Sequence, residues 1–143
     1  MSTEANKALF RRLLDEYFIH RNEAVWDELV HPDVVIHGIL ANVNGTDAAK
    51  AFYAQLFAAF QPWTATIDDM IAEGDQVAAR ITETGTMVGS FMNMSPSGKT
   101  FTIPAVQICR FAEGKLVEMW GFRDSGAQLR QLGLTAPAVS AAR

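Results

Sequence analysis

Proton chemistry has few places to reside in this chain of 143 residues: His20, His31 and His37, the single Cys109, and sixteen carboxylate side chains. His37 closes the β-branched run Val34-Val35-Ile36-His37. An imidazole at a strand end changes charge near neutral pH, so His37 is a candidate proton shuttle; the same place also suits a ring tied to backbone. His20 and His31 stand at helix ends, where an exposed capping role is expected. Asp124 precedes Ser125-Gly126. It is either an acid/base group, if its strand bends inward at Gly121, or the N-cap of a closing helix. Glu83 falls in phase with Ala79 and Ile81 and is a second carboxylate candidate, with Asp124 as its only pairing. Two carboxylates within about one water of each other could open an epoxide. Asp68 and Asp69 are adjacent, so a strand points them to opposite faces and they are not read as a pair. Cys109 lies in an apolar strand pattern and reads as an inert buried thiol.

Composition excludes several classes. A single cysteine rules out an internal disulfide framework, and with three scattered histidines it rules out a thiolate zinc site; no metal is expected. Net charge is −4 with no long basic run, which argues against nucleic acid as a partner. No apolar run approaches the roughly 20 residues of a membrane span. The N-terminus lacks the charged-then-apolar order of a signal peptide, so the cytoplasm is the expected compartment.

The elements that must position these residues follow from periodicity. Leu9, Phe10, Leu13, Leu14, Tyr17 and Phe18 recur at helical spacing and predict a helix over residues 4–20. Asn22 caps a second helix, Glu23 to Val30, which His31-Pro32-Asp33 ends. After the strand Val34–His37, Thr46 caps a third helix bearing Phe52, Tyr53, Leu56, Phe57 and Phe60 and stopping before Pro62. The period then changes to alternation: Trp63 to Ile71, a turn at Glu73-Gly74-Asp75, and Gln76 to Thr86. Phe101 to Phe111 forms a long strand in which Pro104 suggests an edge or bulge. Glu113-Gly114 turns it into Lys115–Asp124. The expected fold is α+β, with N-terminal helices packed on a strongly curved antiparallel or mixed sheet that encloses a conical cavity. One domain spans residues 1–134, and 135–143 form a frayed tail.

The chain resembles the SnoaL-like polyketide cyclase family, within the cone-shaped fold typified by nuclear transport factor 2. The resemblance rests on His31-Pro32-Asp33, Ile71 to Arg80 across the first hairpin, Gly85-Thr86, Gly89-Ser90-Phe91-Met92 and Pro96-Ser97-Gly98-Lys99. It continues through Arg110 to Lys115, Glu118-Met119-Trp120 with Asp124, and Leu129-Arg130-Gln131-Leu132-Gly133, covering residues 5–134. It implies a cofactor-free site inside the cone, a small hydrophobic molecule as partner, and a homodimer. In the ring cyclases of this family an aspartate on the last strand and a histidine on the preceding one serve an intramolecular aldol closure. Aligned through Arg110, Gly114 and Asp124, the aspartate position holds Gly121 and the histidine position Gln107; a further histidine position holds Met87. Glycine and glutamine cannot take up and release a proton near neutral pH.

By alternation Ile103, Ala105, Gln107 and Cys109 share a face, as do Val117, Met119, Gly121 and Arg123, while Glu118 and Trp120 point the other way. Gln107 is thus a candidate to orient a carbonyl or hydroxyl, and Gly121 leaves room. Tyr53, Trp63, Phe91, Met92 and Met119 are candidate contacts for a flat or polycyclic ligand. Three readings stand. One is a cyclase or isomerase using His37 or Asp124. The others are an epoxide-opening or cyclic-ether-forming enzyme using Glu83 with Asp124, and a non-catalytic dimeric binding module.

Overall fold

A computed structural model describes residues 2–38 and 42–134; the expected tail, 135–143, lies outside them. Helix α1 (Thr3–Arg12) starts at Ser2, whose hydroxyl accepts the Ala5 N–H at 3.0 Å. It runs on without a break into a π-helix, Leu13–Ile19, where one continuous α-helix was expected. The wider turn brings the consecutive Tyr17 and Phe18 into one aromatic cluster, with Tyr17 4.7 Å from Trp26 and Phe18 4.9 Å from Tyr53. Asn22 caps α2 (Glu23–Leu29), accepting from the Ala24 N–H.

Strand β1 (Val30–His37) begins four residues earlier than its β-branched run. His31-Pro32 lies inside it, and the pairing shifts register between Val30 and Val35 to pass the proline. After β2 (Asn42–Asn44), α3 (Thr46–Ala59) starts at Gly45 with φ +91°, a conformation that favours glycine. Thr46 is therefore not the cap. Its hydroxyl instead accepts the indole N–H of Trp26 at 2.8 Å, satisfying the one polar atom of a fully buried ring.

The remaining strands are β3 (Phe60–Glu73), β4 (Gln76–Met87), β5 (Thr100–Ala112) and β6 (Lys115–Arg123), followed by α4 (Ser125–Gln131). Together with β1 and β2 they form a six-stranded sheet ordered β2-β1-β6-β5-β4-β3, antiparallel except for the β1/β6 pair. The α+β expectation holds, and the sheet is mixed and curled.

Two bulges matter downstream. One lies between Arg110 and Phe111 and takes Val117 out of phase, so Leu116, not Val117, is buried with Met119. The other, between Ile67 and Asp69, turns Asp68 and Asp69 to the same side, each 3.9 Å from Arg80; strict alternation would have separated them. Pro104 sits in a central strand, paired with Thr82. β6 has ended opposite it, and the Pro104 carbonyl takes the Asp124 N–H at 3.5 Å, so the missing donor costs nothing.

The helices cover the concave face of the sheet. There Val77, Ala79, Ile81, Ala105, Cys109 and Met119 are buried against Phe10, Leu13, Tyr17 and Trp26. A smaller cluster of Ala59, Phe60, Met87, Phe101, Ile103 and Leu132 closes the end beneath α4. Gly85 is required there, since a Cβ would approach the Phe101 ring to 2.8 Å.

Candidate active site

Cross-strand partners share a face, and this sorts the polar residues. On the concave side Gln107 of β5 pairs with Ala79 of β4 and Gly121 of β6. A Cβ on Gly121 would stand 3.5 Å from Gln107 Nε2, an ordinary contact, so the Gln107 amide lies over the glycine. Gln107 and Gly121 keep partial exposure while their concave neighbours Cys109 and Met119 are buried. On this otherwise buried wall the glutamine is partly exposed.

Two residues further along β6, Arg123 occupies the same face, on a rung with Ala105. The small Ala105 lets the guanidinium cross β5 to reach Glu83 of β4. Arg123 Nε and Nη2 both donate to Glu83 Oε1, at 3.1 and 2.8 Å. The Glu83 side chain is 3 % exposed and that of Arg123 20 %. A carboxylate so buried needs an opposite charge, and Arg123 supplies it. The phase of Glu83 with Ala79 and Ile81 is as the alternation gave it, but its partner is Arg123, not Asp124. Arg123 was legible only as a member of the Gly121 face; its reach across β5 depends on Ala105, which no single strand pattern reveals.

The opposite wall comes from α3 and β3. Tyr53 stands among Phe18, Trp26 and Phe57, at ring distances of 4.9, 5.7 and 6.4 Å. Burial, with smaller effects of Cys109, Tyr17 and Glu83, raises its phenol well above the ordinary range, against a weaker pull from Arg123. Tyr53 therefore faces the concave groups as a neutral donor. Trp63 joins this side, with its ring 3.3 Å from where a Gly85 Cβ would be. Phe91 packs on Phe60 at 5.0 Å. Met92 is 57 % exposed and lines a separate surface cleft of about 520 Å³ with Gln55, Ala58, Gly89, Ser90 and Asn93. A second cleft, about 290 Å³, lies between Tyr17, Arg21, Lys50 and Phe57. Neither cleft is lined by Gln107, Gly121, Glu83 or Arg123.

The remaining candidates lie elsewhere. His37 pairs with Trp120, so it is on the convex face, opposite Gly121. Its Nε2 is 2.7 Å from Glu118 Oε2, and its ring stacks on Trp120 at 4.7 Å and 5°. Arg110 closes that cluster, reaching Glu118 at 3.4 Å and Asp75 at 3.1 Å. Hydrogen bonding from His37, then from Arg110, holds the Glu118 carboxyl below its usual range. Asp124 is exposed and accepts the Ala127 N–H at 3.0 Å, capping α4. Neither His37 nor Asp124 is brought together with Gln107 and Gly121. Cys109 is buried and its thiol pushed up by burial alone. Among the described residues no group of His, Cys, Asp and Glu could hold a metal, and no helix is long and apolar enough to cross a membrane.

Known proteins share this fold. Residues 8–132 match the family described as SnoaL-like polyketide cyclase. The chain belongs to that family. Aklanonic acid methyl ester cyclase AcmA from Streptomyces galilaeus is 26 % identical over 129 residues, covering 88 % of this chain and 89 % of that one. A SnoaL-like polyketide cyclase candidate from Jannaschia sp. CCS1 superposes with a TM-score of 0.85 at 29 % identity, covering 95 % of each chain. An NTF2-like protein from Burkholderia pseudomallei shares the fold with a TM-score of 0.76 at 21 % identity, over 92 % of this chain and 98 % of that one. In this SnoaL-like chain, Gln107 and Gly121 are cross-strand partners on the concave face.

Proposed function

We propose that this SnoaL-like protein closes or isomerises the carbon skeleton of a polyketide-like, largely apolar ketone without a cofactor. The observation that carries the reading is the Gln107 amide. It is partly exposed and lies over Gly121, beside the buried Ala79, Cys109 and Met119. Sites for flat apolar ligands have this form, an apolar surround with a few convergent polar groups. Gln107 Nε2 donates to a substrate carbonyl, and the neutral Tyr53 hydroxyl is a second donor on the facing wall. Trp63 and Tyr53 offer ring faces to a fused aromatic system. Holding two carbonyl-bearing segments of one molecule together is itself a large part of catalysing ring closure.

The similarity to the cyclase AcmA supports this substrate class, and the shared fold supports a ligand held between helices and sheet. The exposed Phe122 and Val106 on the convex face support a homodimer through that surface. The test is incubation with aklanonic acid methyl ester and simpler polycyclic aryl ketones, with no added cofactor, followed by chromatography and mass spectrometry. The expected result is loss of at least one ketone to a product of unchanged mass. Absence of both conversion and binding across the set would refute the reading.

A further inference from the structure

A ring closure through an enolate needs a base, and neither Gln107 nor Gly121 is one. We infer that Glu83 is the proton carrier of this site and Arg123 its oxyanion partner. The inference rests on the functional reading above, since it supplies that reaction with its missing acid/base.

The geometry is specific. Arg123 Nε and Nη2 both go to the same oxygen, Glu83 Oε1, so among the described residues Oε2 is left to accept a proton and Nη1 to donate a hydrogen bond. The two free functions are held side by side by one ion pair. Burial of Glu83 to 2 % keeps bulk water from the carboxylate, which strengthens its interaction with whatever replaces that water. Arg123 lies two residues from Gly121 on the same face, about 7 Å along the strand, close to the carbon length of a linear three-ring system. A ketone anchored at Gln107 therefore presents an adjoining segment to the pair. Of the ionisable groups discussed above, His37 and Glu118 face the convex side, and Asp124 is spent as a cap.

The step balances within the substrate. Glu83 Oε2 takes the proton from a carbon next to a carbonyl. The C–H electron pair becomes the enolate C=C, and the carbonyl oxygen gains the charge under Arg123 Nη1. The carbon then attacks a second carbonyl of the same molecule, forming the C–C bond and an alkoxide. Glu83 returns its proton to that alkoxide. No oxidant, reductant or co-reactant is consumed, and one carboxylate serves as base and then acid.

The experiment uses 2-acetonaphthone, a flat aryl ketone with exchangeable methyl protons. Binding is followed by tryptophan fluorescence, and enzyme-dependent deuterium uptake in D₂O by proton NMR. Wild-type protein is expected to bind and to accelerate uptake. Glu83→Gln should lower the enzyme-dependent rate roughly a hundredfold or more with binding retained. Glu83→Asp preserves the charge but withdraws the carboxylate by one methylene. It should lose roughly tenfold in exchange with binding retained in the folded protein, whatever its melting temperature, a loss that a purely structural ion pair would not show. Exchange at wild-type rate in folded Glu83→Gln or Glu83→Asp overturns the assignment while leaving the functional reading intact. So does wild-type binding with no exchange at all. Failure of the wild type to bind this or any polycyclic ketone overturns the functional reading, and the proton carrier with it.

Discussion

Strands β5 and β6 carry a polar constellation on each face, and the two have little in common beyond their strands. The convex one, His37, Glu118, Arg110 and Asp75 around Trp120, is a half-exposed network of several charges at 28–53 % side-chain exposure. The concave one, Glu83 with Arg123 and Gln107 beside Gly121, sets one ion pair and one amide in an apolar wall. The convex groups have water as an alternative partner, so each contact is worth little. The buried Glu83 has Arg123 as its counter-charge, so that pair is costly to orphan. The more conspicuous chemistry, an imidazole on a carboxylate, is the weaker functional claim.

That contrast can be broken by mutation. Arg123→Met leaves Glu83 buried without its counter-charge and should cost about 3 kcal/mol in urea denaturation. Arg110→Met on the convex face should cost much less in the same assay. Equal losses would mean the two faces do not differ as described. Next in size, Gly121→Leu fills the space beside Gln107 and should weaken 2-acetonaphthone binding about tenfold or more, with the fold retained. Undiminished affinity would place the ligand elsewhere.

The smallest effects belong to the convex cluster. The folded-state pKa of Glu118 is depressed below its ordinary 4.5, first by His37 and then by Arg110. Its contribution to stability is therefore full above that value and fades as pH falls below it. His37→Ala removes the first cause, so the variant's acid-unfolding curve should be shallower below pH 4.5, and its turnover should stay within about twofold of wild type. Abolished turnover in a folded His37→Ala protein would return catalysis to the imidazole.

The alternation of β4, β5 and β6 made much of this legible. It put Glu83 in phase with Ala79 and Ile81, set Gln107 and Gly121 on faces that meet, and turned Glu118 and Trp120 the other way. Asp124 as the α4 cap was also readable, from a carboxylate standing before Ser125-Gly126. What one strand at a time could not give was anything set by a neighbour. His37 read as a candidate proton shuttle, but its face is fixed by parallel pairing with Trp120. The bulge that turns Asp68 beside Asp69, and the smallness of Ala105 that lets Arg123 reach Glu83, act between strands. The π-helix that carries Tyr17 and Phe18 inward has the same apolar spacing as an α-helix.

The central claim is that the working face is the concave one. It is tested most directly by titrating isotope-labelled protein with 2-acetonaphthone and following chemical shifts by NMR. The account predicts saturable shifts of the Gln107 side-chain amide, the Gly121 N–H and the Arg123 Nε–H, with the His37 ring and Trp120 indole unmoved. Shifts centred on His37 and Trp120, with Gln107 and Gly121 silent, would contradict it.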